Sequence, residues 1–304
     1  MIAFFGINAW AQPEQGVSGP EEPDADLEVL LGALVEGFAG DVGVYVRHLE
    51  SGRYAEINGD SLFPTASMIK VPILLKTFDL IEKDALAYDS MLVYRDSLLY
   101  AGEDILGSFA DGEKISLSKV VMLMITTSDN TASLWLQHLV GTGTEINAWL
   151  ASEGFENTRV NSRTAGRHPD WQRFGWGQTT PREMAELLVR IYDGEAISPA
   201  ASEEMYRVLT RIYWNDEALS QIPPFVQVMS KQGAVSRSRS EVVLVNAPGG
   251  AYVFCVITND QADSRWTYDN EGYLLLRDVS RALWHFFEPE SSWKPPAGMD
   301  RYWE

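Results

Sequence analysis

The chain has 304 residues, 45% hydrophobic and 22% charged, enough for one large globular domain or two modest ones. It carries 24 lysines and arginines against 43 aspartates and glutamates, a net charge of −19, so a phosphate backbone is repelled and nucleic acid is a poor partner. The single cysteine, Cys255, excludes a disulfide framework and lies in the apolar run Tyr252–Ile257, where it reads as core.

In chain order, Ile2–Trp10 is mostly apolar and ends in Ala9-Trp10-Ala11, the small-x-small pattern of an export cleavage site. Residues 1–23 are therefore expected to be a shortened signal remnant and a flexible lead-in, and the protein is expected in the periplasm or secreted. No later apolar run reaches membrane-spanning length. Asp24 or Asp26 caps a helix with Leu27, Leu30, Leu31, Leu34 and Phe38 at helical spacing. Val42, Val44 and Val46 then alternate as a strand, and Arg53–Ile57 returns. A helical pattern follows from about Ser67 to Ile81, and further helical segments run on to Glu153. The stretch Ser162–Gly177 is polar, irregular and long for a connection, which marks a functional loop. Thr180 caps the next helix, with Pro181 at its first position. Val226–Val235, Glu241–Asn246 and Ala251–Asn259 form an antiparallel run, and an amphipathic helix spans about Asn270–Phe287.

This order predicts an α+β fold: a five-stranded antiparallel sheet flanked by the terminal helices, with an all-helical insert. The expected parts are 24–60 with 200–288 for the α/β portion, 61–199 for the helical portion, and 289–304 for a tail.

Three short motifs carry chemistry: Ser67-Met68-Ile69-Lys70, Ser128-Asp129-Asn130, and Lys231-Gln232-Gly233 on a strand. Singly, each serine reads as an ordinary helix cap and Lys231 as an exposed charge. A second Ser-x-x-Lys, Ser116–Lys119, reads as a helix start. Spacing i, i+3 on a helix brings a serine and a lysine together. The serine becomes a nucleophile once a base takes its proton, and lysine serves as that base when burial or a second cation lowers its pKa. Lys231 is a candidate second cation.

In this order the motifs resemble the penicillin-recognising serine hydrolases, specifically the class A β-lactamases and their relatives. Leu123-Met124-Ile125, Ile146-Asn147 and Thr179-Thr180-Pro181 are similar as well, and the resemblance covers roughly 24–288. It implies the β-lactamase/transpeptidase-like fold and an acyl-enzyme on Ser67, with Lys70 as base. It implies that Ser128 relays a proton to the departing nitrogen, Asn130 grips the substrate amide and Lys231 anchors relay and carboxylate. The amides of Ser67 and Ala234 correspond to the oxyanion hole, and Asp129 to a buried structural residue. The implied partner is a small-molecule or peptide acyl donor, acted on by a monomer. No metal or cofactor is called for: His48, His138, His168 and His285 lie far apart, and no glycine-rich phosphate loop is present.

The sequence departs from the family in two places. Thr158–Thr164 resembles the family stretch Thr-Arg-Leu-Asp-Arg-Trp-Glu, so Thr164 stands where the deacylating glutamate belongs, and Ser162 and Gly177 replace the arginine and aspartate that pin the loop. Asp170 and His168 are the nearest alternative bases and read more simply as solvated side chains. Gln232 replaces the usual Thr or Ser that offers a hydroxyl to the substrate carboxylate; its amide still donates. Arg237 and Arg239, near the hairpin turn, are alternative carboxylate partners. The expectation is an enzyme that acylates and clears slowly, with a D,D-peptidase or penicillin-binding role, or a non-hydrolytic binding relative, as alternatives.

Overall fold

The computed structural model describes residues 19–102 and 104–303. The apolar start and residues 12–18 of the expected lead-in lie outside the described residues. The chain opens with β1 (Glu22–Pro23), α1 (Ala25–Val35), β2 (Asp41–His48) and β3 (Arg53–Ile57). The middle runs through β4 (Phe63–Pro64), α2 (Lys70–Glu82), β5 (Met91–Val93), β6 (Lys114–Ser116), α3 (Leu117–Thr126), α4 (Asn130–Leu139) and α5 (Thr142–Ser152). It continues with β7 (Arg159–Val160), α6 (His168–Phe174), β8 (Gly177–Thr179), α7 (Pro181–Tyr192) and α8 (Pro199–Leu209). The last part is β9 (Val228–Val235), β10 (Ser238–Val245), β11 (Tyr252–Asn259) and α9 (Glu271–Phe287).

The main sheet has the order β1-β3-β2-β11-β10-β9. The five expected strands pair antiparallel, and a sixth is added: β1 runs parallel to β3, with Glu22 opposite Arg53. Two residues are too few to show alternation, and Pro23 is tolerated because β1 lies at the edge. The lead-in is therefore ordered from Gly19, whose amide donates to the Leu49 carbonyl at 2.8 Å.

Alternation along the strands assigns the two faces. Val44, Val46, Val243, Val245, Phe254 and Val256 pack under α1 and α9, with Leu27, Leu31, Leu276 and Leu283 opposite. Tyr45, Val242, Leu244, Val253, Cys255 and Ile257 face the helical block, where α7 lies directly on the sheet. Asp24 caps α1, accepting from the Asp26 and Leu27 amides, and Thr180 caps α7 through the Glu183 amide.

The insert is not all-helical. β4, β8 and β7 form a small three-stranded sheet, and β5 pairs with β6. These strands are two or three residues long, below the length at which a periodic pattern is visible. No helix among the described residues is long and apolar enough to cross a membrane.

Candidate active site

Ser67 sits in a 3-10 turn, Ala66–Ile69, that runs straight into α2; the α-helix itself begins at Lys70, not at Ser67. Ala66 holds a positive φ of 44°, an unfavourable conformation immediately before the nucleophile candidate. Buried Met68 and Ile69 anchor the turn, and the Thr65 amide donates to the Gly177 carbonyl at 3.0 Å. β9 lies against it. A Cβ on Gly233 would stand 2.7 Å from the Thr65 carbonyl oxygen and 2.9 Å from the Ser67 nitrogen. Only glycine allows this approach, which brings Ala234 beside Ser67.

Ser128 lies between α3 and α4, also with a positive φ of 60°. Asp129 fixes that turn. It is buried, and its carboxylate accepts from the Ala132 amide at 2.7 Å and the Leu106 amide at 2.9 Å. These bonds hold Asn130 at the start of α4, facing Lys70.

The two motif lysines are fully buried. Lys70 Nζ lies 3.3 Å from Ser67 Oγ, 2.9 Å from Ser128 Oγ and 2.8 Å from Asn130 Oδ1, and it also contacts the Ser128 carbonyl. Lys231 Nζ donates to Ser128 Oγ at 3.1 Å, to Gln232 Oε1 at 2.6 Å and to the Gln232 carbonyl at 3.0 Å. Both nitrogens are thus about 3 Å from one oxygen and at most about 6 Å apart, where two like charges cost about 3 kcal/mol at an effective dielectric of 20. Burial pulls the Lys70 ammonium down to about 7, against the pull of Asp104 and Asp129. Burial and the neighbouring Lys70 also push Lys231 well below its ordinary value, against Glu217 and Glu241. A neutral Lys70 has a lone pair to accept the Ser67 proton.

Ser67, Lys70, Ser128, Asn130 and Lys231 therefore converge as the motifs predict. Two cavities meet at Ser67. The first, about 550 Å³, takes in Ser128, Gln232, Asp104, Glu217, Trp214 and Trp303. The second, about 480 Å³, takes in Tyr100, Arg173, Trp176 and the Val235–Ser238 turn with Arg237. Ser67, Asn130, Ala234 and Trp266 line both.

The remaining expected residues stand in different settings. Gln232 turns its amide oxygen onto Lys231, so its nitrogen is the end left to donate to a ligand. Arg237 donates to the Asp260 and Gln261 carbonyls at 2.7 and 3.1 Å. Arg239 is no solvated turn residue: β10 begins at Ser238, and Arg239 is fully buried, 4.3 Å over the Trp266 ring and 4.6 Å over Tyr273. The stretch 162–177 contains α6. Arg167 pins it, donating to Asn161 Oδ1 at 3.0 Å and Gln178 Oε1 at 2.7 Å. Thr164 donates to the Ser162 carbonyl and lines a cavity of about 610 Å³ with His168, Trp171 and Leu134, which shares Tyr100 and Trp176 with the acyl-side cavity. His168 stacks on Trp171, and Asp170 pairs with Arg167 at 3.2 Å.

Four side chains of the site carried no motif. Glu217 and Glu241 are buried carboxyls near Lys231; Glu241 accepts from Ser230 Oγ at 2.6 Å and the Ala218 amide at 2.9 Å. Burial pushes both upward from the ordinary carboxylate range, helped by Glu241 and Asp216 at Glu217 and by Asp216 at Glu241. Trp214 donates to the Thr127 carbonyl at 2.9 Å, and Trp303, from the expected tail, packs on Tyr273 at 5.9 Å.

A sequence profile described as the Beta-lactamase enzyme family matches residues 26–287. The chain belongs to this family. It is a serine hydrolase with the family's mixed α/β fold. It is 22% identical to Beta-lactamase VEB-1 of Pseudomonas aeruginosa over 258 residues, covering 81% of this chain and 85% of that one. Among solved structures it resembles PBP-A, with 28% identity, a TM-score of 0.80, and 90% and 99% of the two chains covered. It also resembles a PBP-A mutant, a leucine replaced by glutamate, solved as an acyl-enzyme complex with penicillin G, with 27% identity, a TM-score of 0.79, and 89% and 99% covered.

Proposed function

We propose that this hydrolase opens an amide or ester, such as a β-lactam, by acylating Ser67, and that the acyl-enzyme clears slowly. The observation that carries the reading is Ser128 Oγ suspended between Lys70 and Lys231, with Lys70 in reach of Ser67 Oγ. Neutral Lys70 takes the Ser67 proton as Oγ bonds to the acyl carbon. The amides of Ser67 and Ala234 receive the developing oxyanion. The proton passes through Ser128 to the departing nitrogen, and the bond to the leaving group breaks. Lys231 holds Ser128 in line and offers positive charge, Asn130 and Gln232 supply amide contacts, and Arg237 stands at the far end of the acyl side.

Slow clearance is supported by the loop. Thr164 has no basic group near neutral pH, and its cavity adjoins that of Ser67 at Tyr100 and Trp176. The carboxylates that do share one stand on the Ser128 side. A β-lactam or a cell-wall peptide is met outside the cytoplasm, in keeping with the periplasmic or secreted location expected of the apolar start.

Intact-mass spectrometry during incubation with benzylpenicillin tests this. The expected result is a penicilloyl adduct on the wild type that persists and is missing from Ser67→Ala. Hydrolysed penicillin accumulating with no lasting adduct would overturn slow clearance, and no adduct would overturn acylation. The likeness to PBP-A favours a second reading, a D,D-peptidase of cell-wall metabolism. Release of D-alanine from a D-Ala-D-Ala peptide, lost in Ser67→Ala, would support it; no release would exclude it.

A further inference from the structure

The Ser128-side cavity has an aromatic wall made by Trp214, Trp266, Tyr273 and Trp303. The rings are held in place. Trp214 is tied to the Thr127 carbonyl, Trp266 and Tyr273 enclose the Arg239 guanidinium, and half-buried Trp303 meets Tyr273 edge-on at 5.9 Å. Trp266 is nonetheless 54% exposed, a large apolar face turned to an open cleft. Trp303 is an addition to the common plan of the fold, because the family match ends at residue 287. The segment after α9 is fastened where Trp284 donates to Ser291 Oγ, and it continues through Trp293, Pro296 and Met299, which line a cavity with Pro223 and Phe225. Positive charge stands beside the aromatic wall: Lys231 Nζ bonds Ser128 Oγ and Gln232 Oε1, which leaves the Gln232 amide nitrogen to donate. Three acids share this cavity. Asp104 accepts from the Thr131 amide and hydroxyl at 2.7 and 3.0 Å, Arg277 reaches the Asp216 carbonyl, and burial holds the Glu217 carboxyl well above its ordinary range.

We infer that the leaving-group side of this cleft recognises an aromatic group carried beside a carboxylate, and that Trp303 is the specificity-determining residue there. The inference rests on the acyl-enzyme reading, which makes the Ser128 side the leaving-group side and gives the carboxylate to Lys231 and Gln232. Ser67 Oγ forms the new bond to the acyl carbon, the bond to the leaving group breaks, and the Ser67 proton reaches the leaving atom through Lys70 and Ser128. The aromatic group takes no part in these transfers. It seats the leaving side by removing its own face and those of Trp303 and Trp266 from water. A cavity of about 550 Å³ has room for such a ring beside the reacting bond.

The test uses two thioesters with one common acyl group and leaving thiols that both carry a carboxylate, thiolactate and 2-mercapto-3-phenylpropionate, which differ by one phenyl ring. Ser67 acylation is followed by intact mass, each rate normalised to that ester's reaction with hydroxide. The wild type should favour the phenyl ester by about tenfold or more, and Trp303→Ala should narrow this to within about threefold. In the wild type, 3-phenylpropionate should also slow acylation by the thiolactate ester at concentrations where acetate does not, a measurement that needs no variant to fold. Equal normalised rates for the two esters, an unchanged ratio in folded Trp303→Ala, or equal effects of 3-phenylpropionate and acetate would overturn the subsite while leaving acylation intact. If neither the esters nor benzylpenicillin labels Ser67, the acyl-enzyme reading falls, and the subsite with it.

Discussion

The floor of the cleft and the 162–177 loop beside it are built in opposite ways. In the floor, Lys70 and Lys231 are fully buried, and every hydrogen bond they make returns to a residue of the three motifs. The loop is largely exposed, pinned at its base by Arg167 and by the Asn161 and Ser162 amides on the Trp176 carbonyl, with Asp170 paired to Arg167 and His168 stacked on Trp171. The floor needs burial, because desolvation is the largest influence that brings Lys70 down to where it is a base near neutral pH. The loop supplies Arg173 and Trp176 to the acyl-side cavity and, at Thr164, no base. On the proposed reading, forming the acyl bond and clearing it are separate chemical tasks on separate pieces of chain.

The largest expected effect breaks the floor. Lys70→Met should slow acylation by benzylpenicillin about 10²- to 10⁴-fold, the usual contribution of a positioned base, read by stopped-flow or quenched mass spectrometry. A pH series sharpens the same point. Because Lys70 accepts a proton only when neutral, acylation should rise with pH through about 7 and level off above it. A flat profile between pH 6 and 8 would assign the base elsewhere. On the loop, Thr164→Glu should speed clearance by less than about tenfold, because a carboxylate there lies among His168, Trp171 and Leu134, in a cavity that adjoins that of Ser67 at Tyr100 and Trp176. A hundredfold gain would mean the loop reaches the acyl group after all. Smallest is Arg167→Ala, which should cost about 1–2 kcal/mol in urea unfolding, through its bonds to Asn161 and Gln178, and leave acylation unchanged.

Much of this was legible in the residues, for identifiable reasons. β2, β9, β11, α1, α7 and α9 show their period and their caps, so local pattern and tertiary demand agree. The three motifs name the floor because its chemistry requires those residue types at those spacings. β1 and the small sheet of β4, β7 and β8 were not legible, since pairing partners and not the strands themselves define them. Arg239 reads as a turn charge until Trp266 and Tyr273 are seen to enclose it. Glu217 and Glu241 are indistinguishable in sequence from the many acids of a chain with net charge −19. Trp303 reaches the cleft from the far end of the chain, and no local signal reports such a contact.

Acylation of Ser67 followed by slow clearance, as proposed, is tested most directly by a pulse–chase. The protein would be labelled with benzylpenicillin, free penicillin removed by rapid desalting, and the Ser67 adduct followed by intact mass. The account predicts an adduct that survives for many minutes. An adduct gone within seconds, with penicilloic acid released in equal amount, would contradict it.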